Sequence, residues 1–425
     1  MNDTTERTPL LIAGCGVSGR AAARLAARLD RPFALLDEQD TPSLREFASS
    51  LPKRPDALYF GFRAGAPLPR FDLTVLSPGF RAGNPVRKQL EAVSGRLASE
   101  LEFALEACGK PFVGITGTNG KTTTTELTAE LFRAAGVRAC ACGNNGYAMS
   151  DAAIDCLDGK LDLPVVEISS FQLEIMPVPH PAAAAVLNLA SDHIDRHGSM
   201  EDYAAAKFKL LGDPAAVQVL NASIPDRLRL APPGKRLYTF SAALPADFAV
   251  ADGALAFRGR TIVAADALAK FESGPHRLEC FLTANGVQYI NDSKATNPHA
   301  VNAALEAVGG ERRVVILLGG LDKAMDFSEL DPELHRLKHA VVFGSCGPAI
   351  AEYLKSRAIP FTPCGTFPDA VKTAVSLAAP GDTVLLSPAT ASMDMFRDYR
   401  DRGDQFKALC GKFAATANSM EQTAK

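Results

Sequence analysis

The chain has no tryptophan and only 7 tyrosines among 425 residues. That is too few for the aromatic platforms on which single-stranded nucleic acids stack. Basic charge is not in excess either. Lys and Arg number 45 against 48 Asp and Glu, a net charge of -3 with a pI of about 6.2, which argues against nonspecific attraction to a polyanion. No apolar run approaches the ~20 residues of a membrane span; the longest, at 182–187 and 314–318, are short. The N-terminal MNDTTERTP is polar and carries no signal-peptide pattern. The nine cysteines are odd in number and scattered from Cys15 to Cys410, with only Cys140 and Cys142 close together. Neither a disulfide framework nor a zinc pattern follows, so a reducing, cytoplasmic setting with buried thiols is expected. Internal repeats and low-complexity tracts are also missing.

What is present is apolar material, 47% against 22% charged, enough for several cores. At ~150 residues per domain the length suggests about three domains. The recurring pattern is a short apolar run, a glycine turn and an alanine-rich helix. Apolar runs end at Ala13, Asp37, Leu76, Ile115, Ile168, Asn188, Ile290, Leu318, Phe343 and Leu386. Strands alternating with helices predict an α/β chain of parallel sheets covered on both faces. Composition and motif order place the units at 1–99, 100–274 and 275–425.

Gly14, Gly16 and Gly19 follow the first strand and open a helix, and Asp37 stands 18 residues beyond Gly19 at the end of the next strand. Such a turn admits a phosphate close to backbone and helix N-terminus, and alone it suggests a nicotinamide-dependent oxidoreductase. Without a ligand it is simply a tight strand-to-helix turn. The segment Gly117, Thr118, Asn119, Gly120, Lys121, Thr122 lies between a strand and a helix. It is a variant phosphate loop, with Ile115 where the usual pattern has its first glycine. Its amides can cradle phosphate, Lys121 can reach the outer phosphates, and the Thr122 hydroxyl can bind Mg²⁺. Glu167, and then Asp192, His193 and Asp195, follow two further strands, where oxygen and imidazole ligands suit a metal. Lys207 sits within a helix and reads, on its own, as a solvated charge. Polar loops at 291–297, 319–323 and 387–392 each follow an apolar strand. Singly each is an ordinary loop; together they suggest one binding edge.

The order GTNGKTT (117–123), EISSFQLE (167–174), DHIDR (192–196), NDSKAT (291–296) and SPATAS (387–392), with an aromatic at 399 and Arg402-Gly403, resembles the Mur ligases over nearly the whole chain. Within them it resembles the branch that adds D-glutamate to UDP-N-acetylmuramoyl-L-alanine in peptidoglycan precursor synthesis, and so in cell-wall biogenesis, shape and division. The resemblance implies an N-terminal Rossmann-like domain for the UDP-sugar, a P-loop ATPase-like central domain and a Rossmann-like C-terminal domain for the amino acid. It implies ATP and Mg²⁺ as cofactors. UDP-N-acetylmuramoyl-L-alanine and D-glutamate are the implied partners of a monomer without nucleic-acid or membrane partners.

By motif, Lys121, His193, Lys207 and Lys294 are the implied catalytic residues. Residues 117–122, Asn144, Arg277 and Asp292 are implied to hold ATP. Thr122, Glu167, His193 and Lys207 are implied metal ligands, the last as a carbamate. Gly14, Gly16, Val17, Ser18, Asp37, Ser77 and Gly79 are implied to hold the UDP-sugar. Gln172, Thr296, Lys323, Ser392 and Tyr399 are implied contacts of the reacting substrates. Two departures stand out: an H-N-x-x-N segment and its helix are missing before Pro275, and Tyr399 replaces a common Phe. Competing readings are a ligase for another acceptor such as L-glutamate, the oxidoreductase, and a noncatalytic nucleotide-binding relative.

Overall fold

The computed structural model describes residues 10–77, 79–80, 83–225, 236–251, 254–261, 274–310, 313–321 and 325–423. Compactness divides the chain into one unit of Met1–Leu189 with Glu201–Phe271, and another of Ala190–Met200 with Glu272–Lys425.

The first unit holds two sheets. One has five parallel strands in the spatial order Ala57–Phe60, Phe33–Asp37, Leu10–Ala13, Phe71–Leu76, Ser94–Ser99. Its middle strand is buried at every position, as a parallel strand covered on both faces must be. The other runs Ala139–Gly143, Leu163–Glu167, Val113–Thr116, Ala183–Val186, Val217–Asn221, Leu237–Ser241, Phe248–Ala251, all parallel, and then Ala254–Phe257 and Arg260–Thr261, both antiparallel.

Helices Val17–Arg28, Glu100–Cys108 and Met149–Leu157 pack between these sheets. One continuous core therefore runs from Leu10 and Leu35 through Ala104 to Cys142 and Val166. Arg24 adds a two-pronged ion pair to Asp151, at 2.8 and 2.7 Å.

The second unit is built on six strands, Glu279–Ala284, Val287–Asn291, Thr383–Leu386, Val314–Gly319, Leu337–Phe343, Phe361–Pro363. Val314–Gly319 is wholly buried between cores on the two faces.

The expected parallel sheets carry antiparallel strands at two edges, and local chemistry explains one case. Asn285 and Gly286 have φ of 54° and 72°, the paired left-handed conformation of a two-residue hairpin turn. A turn that short leaves no room for a crossover helix, so Glu279–Ala284 and Val287–Asn291 must pair antiparallel. No described helix is long and apolar enough to cross a membrane.

Candidate active site

The phosphate loop leaves the strand Val113–Thr116 and enters the helix Lys121–Ala134. Gly117 and Gly120 take φ of 156° and 77°. A Cβ on Gly117 would stand 2.9 Å from the Leu187 Cβ, so the loop needs glycine there for space as well as for φ. Lys121 folds back over the loop, its Nζ donating to the carbonyls of Gly117 and Thr118 at 3.0 and 2.9 Å.

Lys207 is not a solvated charge. It is 1% exposed. Its Nζ donates to the Gly117 carbonyl at 2.7 Å and lies 4.5 Å from the centre of the Tyr203 ring. The Tyr203 hydroxyl in turn is 3.2 Å from the Thr118 hydroxyl. The helix Met200–Phe208 thus delivers a buried amine to the base of the phosphate loop.

On the other side, the Thr122 hydroxyl donates to Glu167 Oε2 at 2.6 Å, and Asn144 Nδ2 donates to Glu167 Oε1 at 2.9 Å. Asn145 Nδ2 reaches the Thr122 hydroxyl at 3.3 Å. Gly143 precedes this pair with φ of 110°, and a Cβ there would stand 2.4 Å from the Glu167 carbonyl. Hydroxyl and carboxylate oxygens of this kind suit a hard divalent cation that keeps water and phosphate ligands. Among the described residues no cluster of three His, Cys, Asp or Glu side chains forms an all-protein metal cage. Gln172 lies nearby in sequence, but its side-chain oxygen accepts from the Ser169 amide and hydroxyl at 2.9 and 2.8 Å, closing a capping box on the helix Ser170–Ile175.

The glycine turn of the first sheet gathers its expected residues at one strand edge. The Gly14 amide donates to the Leu36 carbonyl, and the Cys15 amide donates to Asp37 Oδ2 at 2.7 Å. Asp37 therefore staples the turn to the neighbouring strand. The Ser77 amide bonds the Ala13 carbonyl at 2.9 Å, and the Phe80 amide closes the turn through Gly79 onto the Ser77 carbonyl at 3.1 Å. A Cβ on Gly14 would meet the Ser77 Cβ at 2.6 Å, whereas Gly16 faces open space. Val17 is 78% exposed at the start of the helix, where an apolar side chain has no core to cover.

In the second unit, Asp192 and His193 belong to the segment Ala190–Met200, while Thr122, Glu167 and Lys207 belong to the first. His193 has φ of 56° and its Nε2 is 3.6 Å from Asp192 Oδ2. Asn297 caps the helix Pro298–Val308 through the Ala300 amide, and its Nδ2 is 3.5 Å from Asp192. Arg277 sits between His276 and Leu278, whose φ are 64° and 46°. Two left-handed residues flanking a single residue mark a backbone held against its preference. His276 is buried, which lowers its pKa, and Nδ1 accepts from Asn291 Nδ2 at 2.9 Å.

Asp292 accepts from the Ser387 hydroxyl at 2.9 Å and the Leu278 amide at 3.2 Å. Burial pushes its carboxyl up to about 7, against the opposing pull of those bonds and of Arg277. Lys294 Nζ lies 4.2 Å from the centre of the Tyr399 ring. Thr296 is half-buried on the same loop and Ser392 is buried. Lys323 lies outside the described residues.

The motifs include Arg402 but assign it no role. Arg402 is fully buried. Its Nε and Nη2 bond the Ser293 hydroxyl and carbonyl, and Nη1 reaches the carbonyls of Thr390, Ala391 and Gly319 at 3.1, 3.3 and 3.5 Å. One guanidinium thereby ties together the three polar loops that follow three strands. The Arg402-Gly403 pair was the available signal: a Cβ on Gly403 would stand 2.2 Å from His276 Nδ1. Asn188, outside every motif, also holds the phosphate loop, through the amide and carbonyl of Asn119.

A phosphate loop flanked by a buried amine and by a Thr–Glu–Asn chain defines a nucleotide-using enzyme of the α/β class. The family model "Mur ligase middle domain" matches residues 115–276, and "Mur ligase, glutamate ligase domain" matches 276–390. A UDP-N-acetylmuramoylalanine–D-glutamate ligase of Frankia casuarinae is 36% identical, over 94% of this chain and 93% of that one. One of Dechloromonas aromatica is also 36% identical, over 93% and 96%. Among solved structures, a UDP-N-acetylmuramate-alanine ligase from Thermotoga maritima aligns with a TM-score of 0.60 at 17% identity, covering 97% of this chain and all of that one. The chain belongs to the Mur ligase family. It is an ATP-dependent ligase.

Proposed function

We propose that the chain adds D-glutamate to UDP-N-acetylmuramoyl-L-alanine, with ATP as phosphoryl donor and Mg²⁺ at the Thr122 and Glu167 oxygens. The observation that carries this reading is the meeting of Lys207, Thr122 and Glu167 on one phosphate loop, in a chain whose full-length relatives bear that ligase name. Its assigned site is cytoplasmic, and its working form a monomer.

The difficulty of the reaction is electrostatic. A carboxylate is a poor electrophile and must approach polyanionic ATP. In the proposed sequence an alanyl carboxylate oxygen takes the γ-phosphoryl group and ADP leaves. The free amine of D-glutamate then adds to the acyl carbon, the nitrogen loses a proton, and inorganic phosphate departs as the amide forms. Bound Mg²⁺ would neutralise charge on the phosphates and the transferring group.

The protein's own share is positioning and charge. Lys121 is placed to exchange its loop carbonyls for phosphate oxygens. Lys207, once carbamylated, would present oxygens and negative charge in place of a donor, and would support the cation together with Glu167; His193 is assigned as a metal ligand as well. Asn144 fixes the Glu167 carboxylate. Arg277 and Asp292 are assigned to the nucleotide. Lys294, Thr296, Lys323, Ser392 and Tyr399 are assigned to the acyl phosphate and the two glutamate carboxylates, and Gln172 to the substrate beside them. Residues 1–99, with Gly14, Gly16, Val17, Ser18, Asp37, Ser77 and Gly79, are assigned to the UDP-sugar, residues 100–274 to ATP, and 275–425 to the amino acid.

The test incubates purified protein with UDP-N-acetylmuramoyl-L-alanine, ATP, Mg²⁺ and either D- or L-glutamate, following phosphate release and product mass. Product with D-glutamate is expected. Product with L-glutamate alone would reassign the acceptor, and no phosphate release with either would overturn the reading.

A further inference from the structure

Asn188 stands just beyond the strand Ala183–Val186, outside every motif that singles out the phosphate site. Its side chain grips the loop at one residue, Asn119, through both the amide and the carbonyl of that residue. The Asn119 amide donates to Asn188 Oδ1 at 2.8 Å, and Asn188 Nδ2 donates to the Asn119 carbonyl at 3.1 Å. The Asn188 main chain adds a third bond, its carbonyl accepting from the Thr118 amide at 3.1 Å. A primary amide here imitates a paired strand, satisfying donor and acceptor of a single loop residue at once.

This changes how the loop can bind phosphate. The amides of Thr118 and Asn119 are already spent on Asn188, so they brace the loop. Donors for a phosphate are then expected from the following turn, where the helix Lys121–Ala134 begins. The braced peptide also carries the Thr118 carbonyl that Lys121 Nζ holds at 2.9 Å. Asn188 further lies one residue before Leu189, the last residue of the first unit before the chain enters Ala190–Met200.

We propose that Asn188 is a positioning residue for nucleotide binding, holding the phosphate loop in its receptive shape from the exit of the adjacent strand. The proposal rests on the ATP reading above, and its test separates the two. ADP affinity is measured by calorimetry with the full-length protein, where catalysis plays no part. Asn188→Ala should weaken ADP binding about tenfold, the loss of two side-chain hydrogen bonds that shape the site, and should raise the KM for ATP while leaving that for glutamate near its original value.

Asn221→Ala is the control. Asn221 Nδ2 donates to the Leu187 carbonyl at 2.9 Å, a bond to the same chain segment that does not touch the loop. A merely structural contribution would affect both variants alike, whereas positioning affects nucleotide affinity only in Asn188→Ala. Should that variant fail to fold, Asn188→Asp keeps an acceptor for the Asn119 amide, loses the donor and adds a negative charge; it must also bind ADP more weakly. Unchanged ADP affinity in a folded Asn188 variant, or an equal loss in Asn221→Ala, overturns the proposal. Failure of the unaltered protein to bind ADP would instead strike at the ATP reading.

Discussion

Arg402 donates to both the hydroxyl and the carbonyl of Ser293, at 3.0 and 2.9 Å. Burial lowers its pKa, yet a guanidinium remains protonated at neutral pH. The chain therefore keeps a buried cation behind the loop that carries Lys294 and Thr296. Arg402→Ala strips partners from Ser293, Thr390 and Ala391 together. The expected cost is on the order of 3 kcal/mol, because several buried acceptors lose their donors at once. Chemical denaturation measures it; a loss under about 0.5 kcal/mol, the range of an ordinary surface change, would show that the loops hold without the guanidinium.

Lys121→Ala should lower turnover by at least about a hundredfold, the scale on which a charge stabilising a reaction's developing negative charge contributes. Phosphate release under saturating substrates reads it. Near-normal turnover would remove this loop from the ATP site.

Lys207→Ala should abolish turnover, and short carboxylates such as acetate or formate in the buffer should restore part of it. Rescue is expected if a carbamate acts there, because the added carboxylate supplies the missing oxygens. Rescue by short alkylamines instead would identify the free amine as the working group.

Gly143→Ala places a methyl group 2.4 Å from the Glu167 carbonyl at a φ of 110°. Strain of this kind costs about 1–3 kcal/mol. Because Asn144 and Glu167 must shift together, the Mg²⁺ dependence of phosphate release should move to higher concentration along with the melting temperature falling. A lower melting temperature with unaltered Mg²⁺ dependence would dissociate the Gly143 turn from the metal.

Asp292 carries a linkage prediction. Its folded-state pKa is raised to about 7 from an ordinary 3.8, so the folded protein holds this proton where the unfolded chain has lost it. The stability difference is fully present at low pH and is lost as pH rises from about 4 to about 7. Arg277 opposes the shift and Ser387 hydrogen-bonds the carboxylate. Asp292→Asn should flatten this part of the stability profile, measured as melting temperature against pH. An unchanged slope would place the titration elsewhere.

Much of the framework was legible in the sequence. Apolar runs at 10–13, 33–36, 314–318 and 383–386 are strands in the structure, because a parallel strand buried on both faces leaves no polar alternation to misread. The phosphate loop was legible because its glycines answer a local demand of φ and space. The edge hairpin at Asn285-Gly286 was missed although its turn chemistry was present, since the alternation of strands and helices was extended to the sheet margins. Lys207 could not be read from composition; a lysine in a helix gives no sign that its amine is buried against a carbonyl 90 residues earlier in the chain.

By itself, then, the sequence determined the class of fold, the phosphate loop and the order of the polar loops, all of which follow from local patterns of period, glycine and charge. Only the tertiary structure decided which of those groups meet. Asn188 reaches Asn119 across 69 residues, Arg402 reaches Ser293 across 109, and Glu167 reaches Thr122 across 45. Such pairings depend on strand order and on which neighbours a buried donor finds when water is gone, and no local pattern encodes either.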